Sequence, residues 1–104
     1  MIMVNTESIV GVEIEKSLGV VYGNTVQAKH IGKDIVGGFR NLVGGKMTEY
    51  EEMFRESRDI AEKEMIEKAK ELGADAIVNV RYTSSSIMQG SSEVMVYGTA
   101  VKIK

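Results

Sequence analysis

The amino-acid sequence predicts a small α+β domain in which one long amphipathic helix packs on an antiparallel sheet. After Thr48, apolar residues recur at three- and four-residue spacing, which is typical of a helix with one buried face. On both sides of that segment, apolar and polar residues alternate, which is typical of strands with one buried face. The chain has 104 residues, and we expect a single domain that spans residues 1–104.

Two strands are predicted before the helix. Residues 1–4 are short and apolar, and we expect them to form an edge strand. Residues 13–26 alternate, and one parity is predicted to face the core: Ile14, Leu18, Val20, Tyr22 and Val26. Gly19 and Gly23 interrupt this strand, which indicates a bend or the close approach of another backbone.

A glycine-rich segment follows, and it predicts a short helix. The sequence IVGG at residues 35–38 recurs as LVGG at residues 42–45, seven residues or about two helical turns later. This spacing places the apolar residues on one stripe, so we expect a short glycine-rich helix over residues 31–43. Gly44 and Gly45 would end it, because glycine readily adopts the left-handed cap conformation.

The long helix is predicted to begin at Thr48, to run for about 25 residues and to end at Gly73. Its predicted apolar face consists of Tyr50, Met53, Phe54, Ile60, Ala61, Met65, Ala69 and Leu72. Glu64 and Lys68 lie four residues apart on the charged side, which favours an ion pair on a solvated face.

A hairpin is predicted after the helix. Residues 76–83 alternate as a strand, residues 84–92 are rich in serine and indicate a polar turn, and residues 94–103 form the last strand. This last strand is apolar on both faces. One helix covers only one face of a sheet, so the second face needs the short helix or another subunit.

Composition excludes several classes of function. A formal net charge of -2 argues against nucleic acid as a partner, because phosphate binding needs a basic surface. The chain has no apolar run of about 18 residues, so no membrane span is expected, and the first residues lack the pattern of a secretory signal. It has no cysteine, which excludes disulfides and thiolate nucleophiles. We therefore expect a cytoplasmic protein.

Two groups of residues are candidate binding sites, and each has a plainer explanation. His30, the only histidine, and Asp34 are spaced for one side of a helix, but two ligands do not complete a zinc site. Arg40, Gly44, Gly45 and Lys46 could bind an anion through backbone amides and cations, although the phosphate-loop pattern fails at Arg40 and Met47. The glycines could equally serve turns and packing. No catalytic residue and no cofactor are predicted.

Four segments together resemble the YbjQ-like family, which carries the label of a heavy-metal-binding protein. They are LGVVYG at residues 18–23, GKDIVGGFRNLVGGK at residues 32–46, LGADAIVNV at residues 72–80 and YGTAV at residues 97–101. The resemblance covers essentially the whole chain. It implies a compact α+β subunit of the dodecin-like type and a ring-shaped homo-oligomer, with a pentamer as the expected order.

The leading functional hypothesis is a non-enzymatic, ring-forming binding or scaffold protein whose main partner is itself. One alternative is a heavy-metal-binding module, as the family label says. The other is an enzyme or binder of a small anionic ligand near Arg40 and Lys46. Since soft metals prefer thiolate ligands and the chain has none, we expect no tight heavy-metal site.

Overall fold

The computed structural model describes residues 1–28, 48–88 and 91–104. In this part of the chain, one helix packs on a four-stranded sheet of order β1-β3-β4-β2. The elements are β1 (Ile2–Met3), β2 (Ile14–Ala28), α1 (Thr48–Glu71), β3 (Ala76–Met88) and β4 (Ser91–Ile103). The α+β prediction is confirmed. The predicted short helix over residues 31–43 lies outside the described residues.

The sheet is mixed, so the prediction of a purely antiparallel sheet is wrong. β4 pairs antiparallel with both β2 and β3, whereas β1 runs parallel to β3. The pairing of β1 is short, with Ile2 opposite Ala76 and Met3 opposite Ile77. The prediction of an edge strand at the N-terminus is confirmed. The helix lies between β2 and β3 in the sequence. In the sheet, β4 lies between these two strands.

The long helix closely matches its predicted bounds. It has 24 residues, and Gly73 follows it with a φ of 80°. The Gly73 amide donates to the carbonyl of Lys70 (2.9 Å) and the Ala74 amide to that of Ala69 (3.0 Å), so carbonyls of the last turn are satisfied. Lys68 and Glu64 form the expected ion pair, with 3.2 Å between Nζ and Oε1.

The buried stripe of α1 is narrower than the sequence pattern predicts. Its buried residues are spaced every four positions: Met53, Ser57, Ala61, Met65 and Ala69. Ile60 and Leu72, predicted to be buried, are exposed. The small side chains of Ser57, Ala61 and Ala69 let the helix backbone approach the sheet closely, and only a narrow strip of the helix surface then reaches it.

Two apolar clusters lie on opposite faces of the sheet. The larger cluster lies between α1 and the sheet and includes Val21, Met65, Ile77, Val80 and Val96. The smaller one lies on the other face, where Val4, Ile9, Ile14 and Ile103 pack against Ala76, Val78 and Val101. The N-terminal segment therefore covers one end of the second face. The sequence pattern had predicted that the short helix or another subunit would cover this face.

The buried parity of β2 is the reverse of the prediction over most of the strand. Val21 and Gly23 are buried beneath α1, while Val20, Tyr22 and Val26 are exposed. The register shifts between Ser17 and Gly19, and Gly19 has a φ of 121°, so this bulge moves the core-facing parity from Leu18 to Val21. Gly23 lies directly against the backbone of α1. Of the two alternatives predicted for these glycines, the close approach of another backbone is thus confirmed at Gly23.

The serine-rich segment is mostly strand, and the prediction of a turn over residues 84–92 is wrong. Ser84, Ser85 and Ser86 continue β3, and they pair with Val94, Glu93 and Ser92 of β4. Cross-strand hydrogen bonds satisfy serine backbone groups as well as those of any other residue. The turn propensity of serine is therefore overridden by the pairing with β4.

Candidate functional site

The site residues predicted from the sequence lie outside the described part of the chain. This holds for the proposed anion ligands Arg40, Gly44, Gly45 and Lys46, and for the metal candidates His30 and Asp34. Their roles stay predictions. The described residues form two other surfaces that are suited to binding, one on each face of the sheet.

The first surface is a cleft between the N-terminal half of α1 and the paired ends of β3 and β4. It has a volume of about 310 Å³, near the lower end of the range for small-molecule sites. We call it the serine cleft, and its walls are formed mainly by Met53, Phe54, Ser84, Ser86, Ser91 and Ser92. The helix contributes the apolar wall and the two strands contribute the hydroxyl groups.

The hydroxyl wall follows from the register of the two strands. Ser84 is opposite Val94 and Ser86 is opposite Ser92, and successive residues of one parity share a face of the sheet. Val94 and Ser92 are buried on the helix side, so Ser84 and Ser86 lie on that side as well. The sequence analysis missed this wall. The signal that could have revealed it is that Val80, Tyr82, Ser84 and Ser86 follow one another at every second position. Residues at this spacing share one face of a strand, so the strand could have been continued through the serines.

Positive charge lies at the rim of the serine cleft. Arg55 and Arg58 line a neighbouring cavity of about 420 Å³ that shares Phe54 and Ser84 with the cleft. Glu51 is the acidic residue in that lining, so the two guanidinium groups exceed the carboxylate there. Within this lining the positive charges outnumber the negative one, and the Glu62 carboxylate lies nearby on Tyr82.

Tyr82 borders the same region and is fixed by a hydrogen bond. Its hydroxyl donates to Oε1 of Glu62 on α1 over 2.7 Å. Partial burial and this hydrogen bond, with the nearby negative charge of Glu62, raise the pKa of Tyr82 to about 12. Tyr82 therefore stays protonated near neutral pH and ties β3 to the helix.

The second surface is the sheet face that points away from α1. The side chains of Val20, Val26, Tyr22 and Tyr97, which we call the open face, are exposed by 73%, 56%, 49% and 40% respectively. Tyr22 and Tyr97 are direct cross-strand partners. The ammonium group of Lys68 lies 4.0 Å from the centroid of the Tyr22 ring, which makes a cation–π contact at the β2 edge.

Neither a metal centre nor a membrane span is found in the described part of the chain. Within residues 1–28, 48–88 and 91–104, no three His, Asp or Glu side chains cluster closely enough to hold a metal ion. Among these same residues, no helix combines the length and the apolar character that crossing a bilayer requires.

Comparison with known proteins places the whole chain in one family. A UPF0145 protein from Colwellia psychrerythraea is 57% identical over 104 residues, which are 100% of this chain and 99% of that protein. A UPF0145 protein from Methanosarcina acetivorans is 52% identical over 103 residues, which are 99% of this chain and 97% of that protein.

A solved structure shares the fold. It is a protein with unknown function of the DUF74 family from Pediococcus pentosaceus, with a TM-score of 0.71 over 100% of this chain and 98% of that chain. At 21% identity this likeness concerns the fold alone. The model of the YbjQ family, described as "Putative heavy-metal-binding", matches residues 1–104. The chain therefore belongs to the YbjQ family, as its four sequence segments indicate.

Proposed function

We propose that this chain is a non-enzymatic binding or scaffold protein of the cytoplasm whose subunits close into a ring. The observation that carries the proposal is the open face. Several large apolar side chains exposed on one face of a sheet favour a site of interaction, because monomeric proteins rarely leave extended apolar patches uncovered. A second copy of the chain is the partner that is always present at matching concentration. The pentameric order rests on the family resemblance.

The shape of the subunit supports association. Its Cα radius of gyration is 17.2 Å, with extents of 54 × 24 × 16 Å. A compact domain of this length has a radius of gyration of about 13 Å. β2 alone has 15 residues, or about 50 Å at the usual rise per residue, so the long strands account for the elongation. Within the described residues, one helix covers only part of strands this long.

The edge of β2 gives a further reason to expect association between subunits. One side of this strand pairs with β4, and no strand of residues 1–28, 48–88 or 91–104 pairs with its other side. Long uncovered edges tend to associate with other chains. Cyclic closure would cover the same surface on every subunit and leave no open end.

The described ionisable groups with shifted pKa values favour a structural role over acid–base catalysis. The pKa of Tyr82 is raised to about 12, away from the range useful near neutral pH. The Asp75 carboxylate accepts a hydrogen bond from the amide of Ile103 (2.9 Å), and this bond is the largest cause of its lowered pKa. Both groups hold secondary-structure elements together.

The proposal is tested by placing a charge on the open face. Val20→Lys should dissociate the oligomer, because the lysine would be buried against the neighbouring subunit without a partner. Ile60→Lys is the matched control, since Ile60 is an exposed apolar residue of α1 and so lies on the other side of the sheet. Light scattering coupled to size exclusion gives the masses. Loss of the oligomer in the first variant alone supports the proposal. An unchanged mass for both variants rules out the open face as the interface.

A further inference from the structure

The serine cleft contains a buried hydroxyl group that has no hydrogen-bond partner in the described part of the chain. Ser92 is 8% exposed, and its Oγ has no hydrogen-bond partner among residues 1–28, 48–88 and 91–104. Ser57, which is also buried, donates to the carbonyl of Met53 over 2.8 Å. Buried polar groups in folded proteins nearly always have a partner, so the Ser92 hydroxyl needs an explanation.

A second hydroxyl on the same side of the sheet is also unmet. Thr25 Oγ1 is buried and has no partner within the described ranges. Thr25 is opposite Val94 in the pairing of β2 with β4, and Val94 lies two residues from Ser92 on the same face. The two hydroxyls therefore lie on the helix side of adjacent strands.

The walls of the cleft define the chemistry of its ligand. Serine hydroxyls donate hydrogen bonds to oxyanions, and bonds to charged acceptors are stronger than bonds between neutral groups. Arg58 lies beside Ser84 and Phe54 and supplies positive charge at the rim. Phe54 and Met53 present apolar surface to the rest of the cleft. This combination suits a small molecule with an anionic group at one end and an apolar body.

We propose that the serine cleft binds a small organic oxyanion. Its phosphate or carboxylate group accepts hydrogen bonds from Ser92 and the neighbouring serines, and its apolar body lies against Phe54. The proposal deepens the binding role proposed above by naming a ligand class. It uses the helix side of the sheet, whereas self-association uses the open face, so the two can fail separately. It does not depend on Arg40 or Lys46.

Amide chemical-shift titration of the assembled protein tests the proposal, because it measures affinity and location together. The probes are phenyl phosphate and benzoate, which carry both parts of the ligand, and inorganic phosphate and benzyl alcohol, which carry one part each. We expect the better of the first two to bind about tenfold more tightly than either single-part probe, with shifts at residues 84–86 and 92. Shifts confined to the open face, or equal affinity for all four probes, overturn the proposal.

Variants separate the ligand contacts from general effects on the fold. Ser92→Ala and Arg58→Gln should each weaken binding of the better probe about tenfold. Lys70→Gln is the matched control, because Lys70 is an exposed cation near the other end of α1. Ser92→Ala should leave the melting temperature of the ligand-free protein unchanged or raised, since it removes an unmet polar group.

The outcomes are distinct. A lowered melting temperature for ligand-free Ser92→Ala means that the protein itself satisfies this hydroxyl, and the proposal is then wrong. Unchanged affinity in both cleft variants also contradicts it. Probe binding at the cleft by a protein that sediments as a monomer supports this inference and contradicts the ring.

Discussion

Replacing Gly23 by alanine should destabilise the protein strongly, because the helix backbone occupies the place of the new methyl group. A Cβ at Gly23 would meet the carbonyl oxygen of Ala61 at far less than contact distance, and the amide nitrogen of Met65 at 2.8 Å. These are backbone atoms, so no change of rotamer relieves the clash. α1 must move away from β2 and loosen the cluster around Ala61 and Met65. Overpacking of this kind typically costs about 1–3 kcal/mol, and we expect about 3 kcal/mol here.

Gly11→Ala is the control for this experiment. Gly11 has a φ of 77°, and a Cβ there would meet nothing within 4 Å. The substitution therefore adds only left-handed backbone strain, about 1 kcal/mol. Urea unfolding at one fixed protein concentration gives the free energies for both variants, since association affects apparent stability. If Gly23→Ala lowers the free energy of unfolding no more than Gly11→Ala does, the close packing of α1 on β2 is refuted.

Three further predictions concern titration and metal binding. The Ile103 amide lowers the pKa of Asp75 below its usual value, so its stabilisation is present above about pH 4 and is lost as the pH falls. The difference in urea midpoint between wild type and Asp75→Asn should therefore be smaller at about pH 3 than at about pH 7, and a constant difference would refute this. Tyr82 has a raised pKa, so its contribution is complete below about pH 10 and lost as the pH rises towards 12. The stability advantage of wild type over Tyr82→Phe should therefore shrink across this range, and parallel alkaline unfolding curves would contradict this. Calorimetry with zinc, copper(I) and cadmium should show only weak binding, because the chain lacks thiolates; a stoichiometric sub-micromolar site lost in His30→Ala would overturn that expectation.

The elements of the fold could be predicted largely because each carries a local signal. The start of α1 at Thr48 and its end before Gly73 follow from periodicity and from the cap glycine, which act within a few residues. The alternation in β4 likewise revealed a strand with two apolar faces. These signals do not depend on which elements become neighbours.

The errors arise where pairing between distant segments decides the outcome. The bulge before Gly19 inverts the buried parity of the rest of β2, and nothing local shows that Val21 rather than Val20 faces the helix. Serine is typical of turns, and only the pairing with β4 makes Ser84 and Ser86 part of a strand. Because a turn was predicted over these residues, the sequence analysis also missed the hydroxyl wall of the serine cleft.

Analytical ultracentrifugation of the untagged protein at micromolar concentration tests the central claim most directly. The open face and the edge of β2, which no strand of the described residues covers, predict a single closed oligomer, and the family resemblance predicts that it is a pentamer. A closed ring of another order would correct only the number of subunits. A single species near 11.4 kDa at every concentration would contradict the claim, because the open face would then remain exposed to water in the native protein.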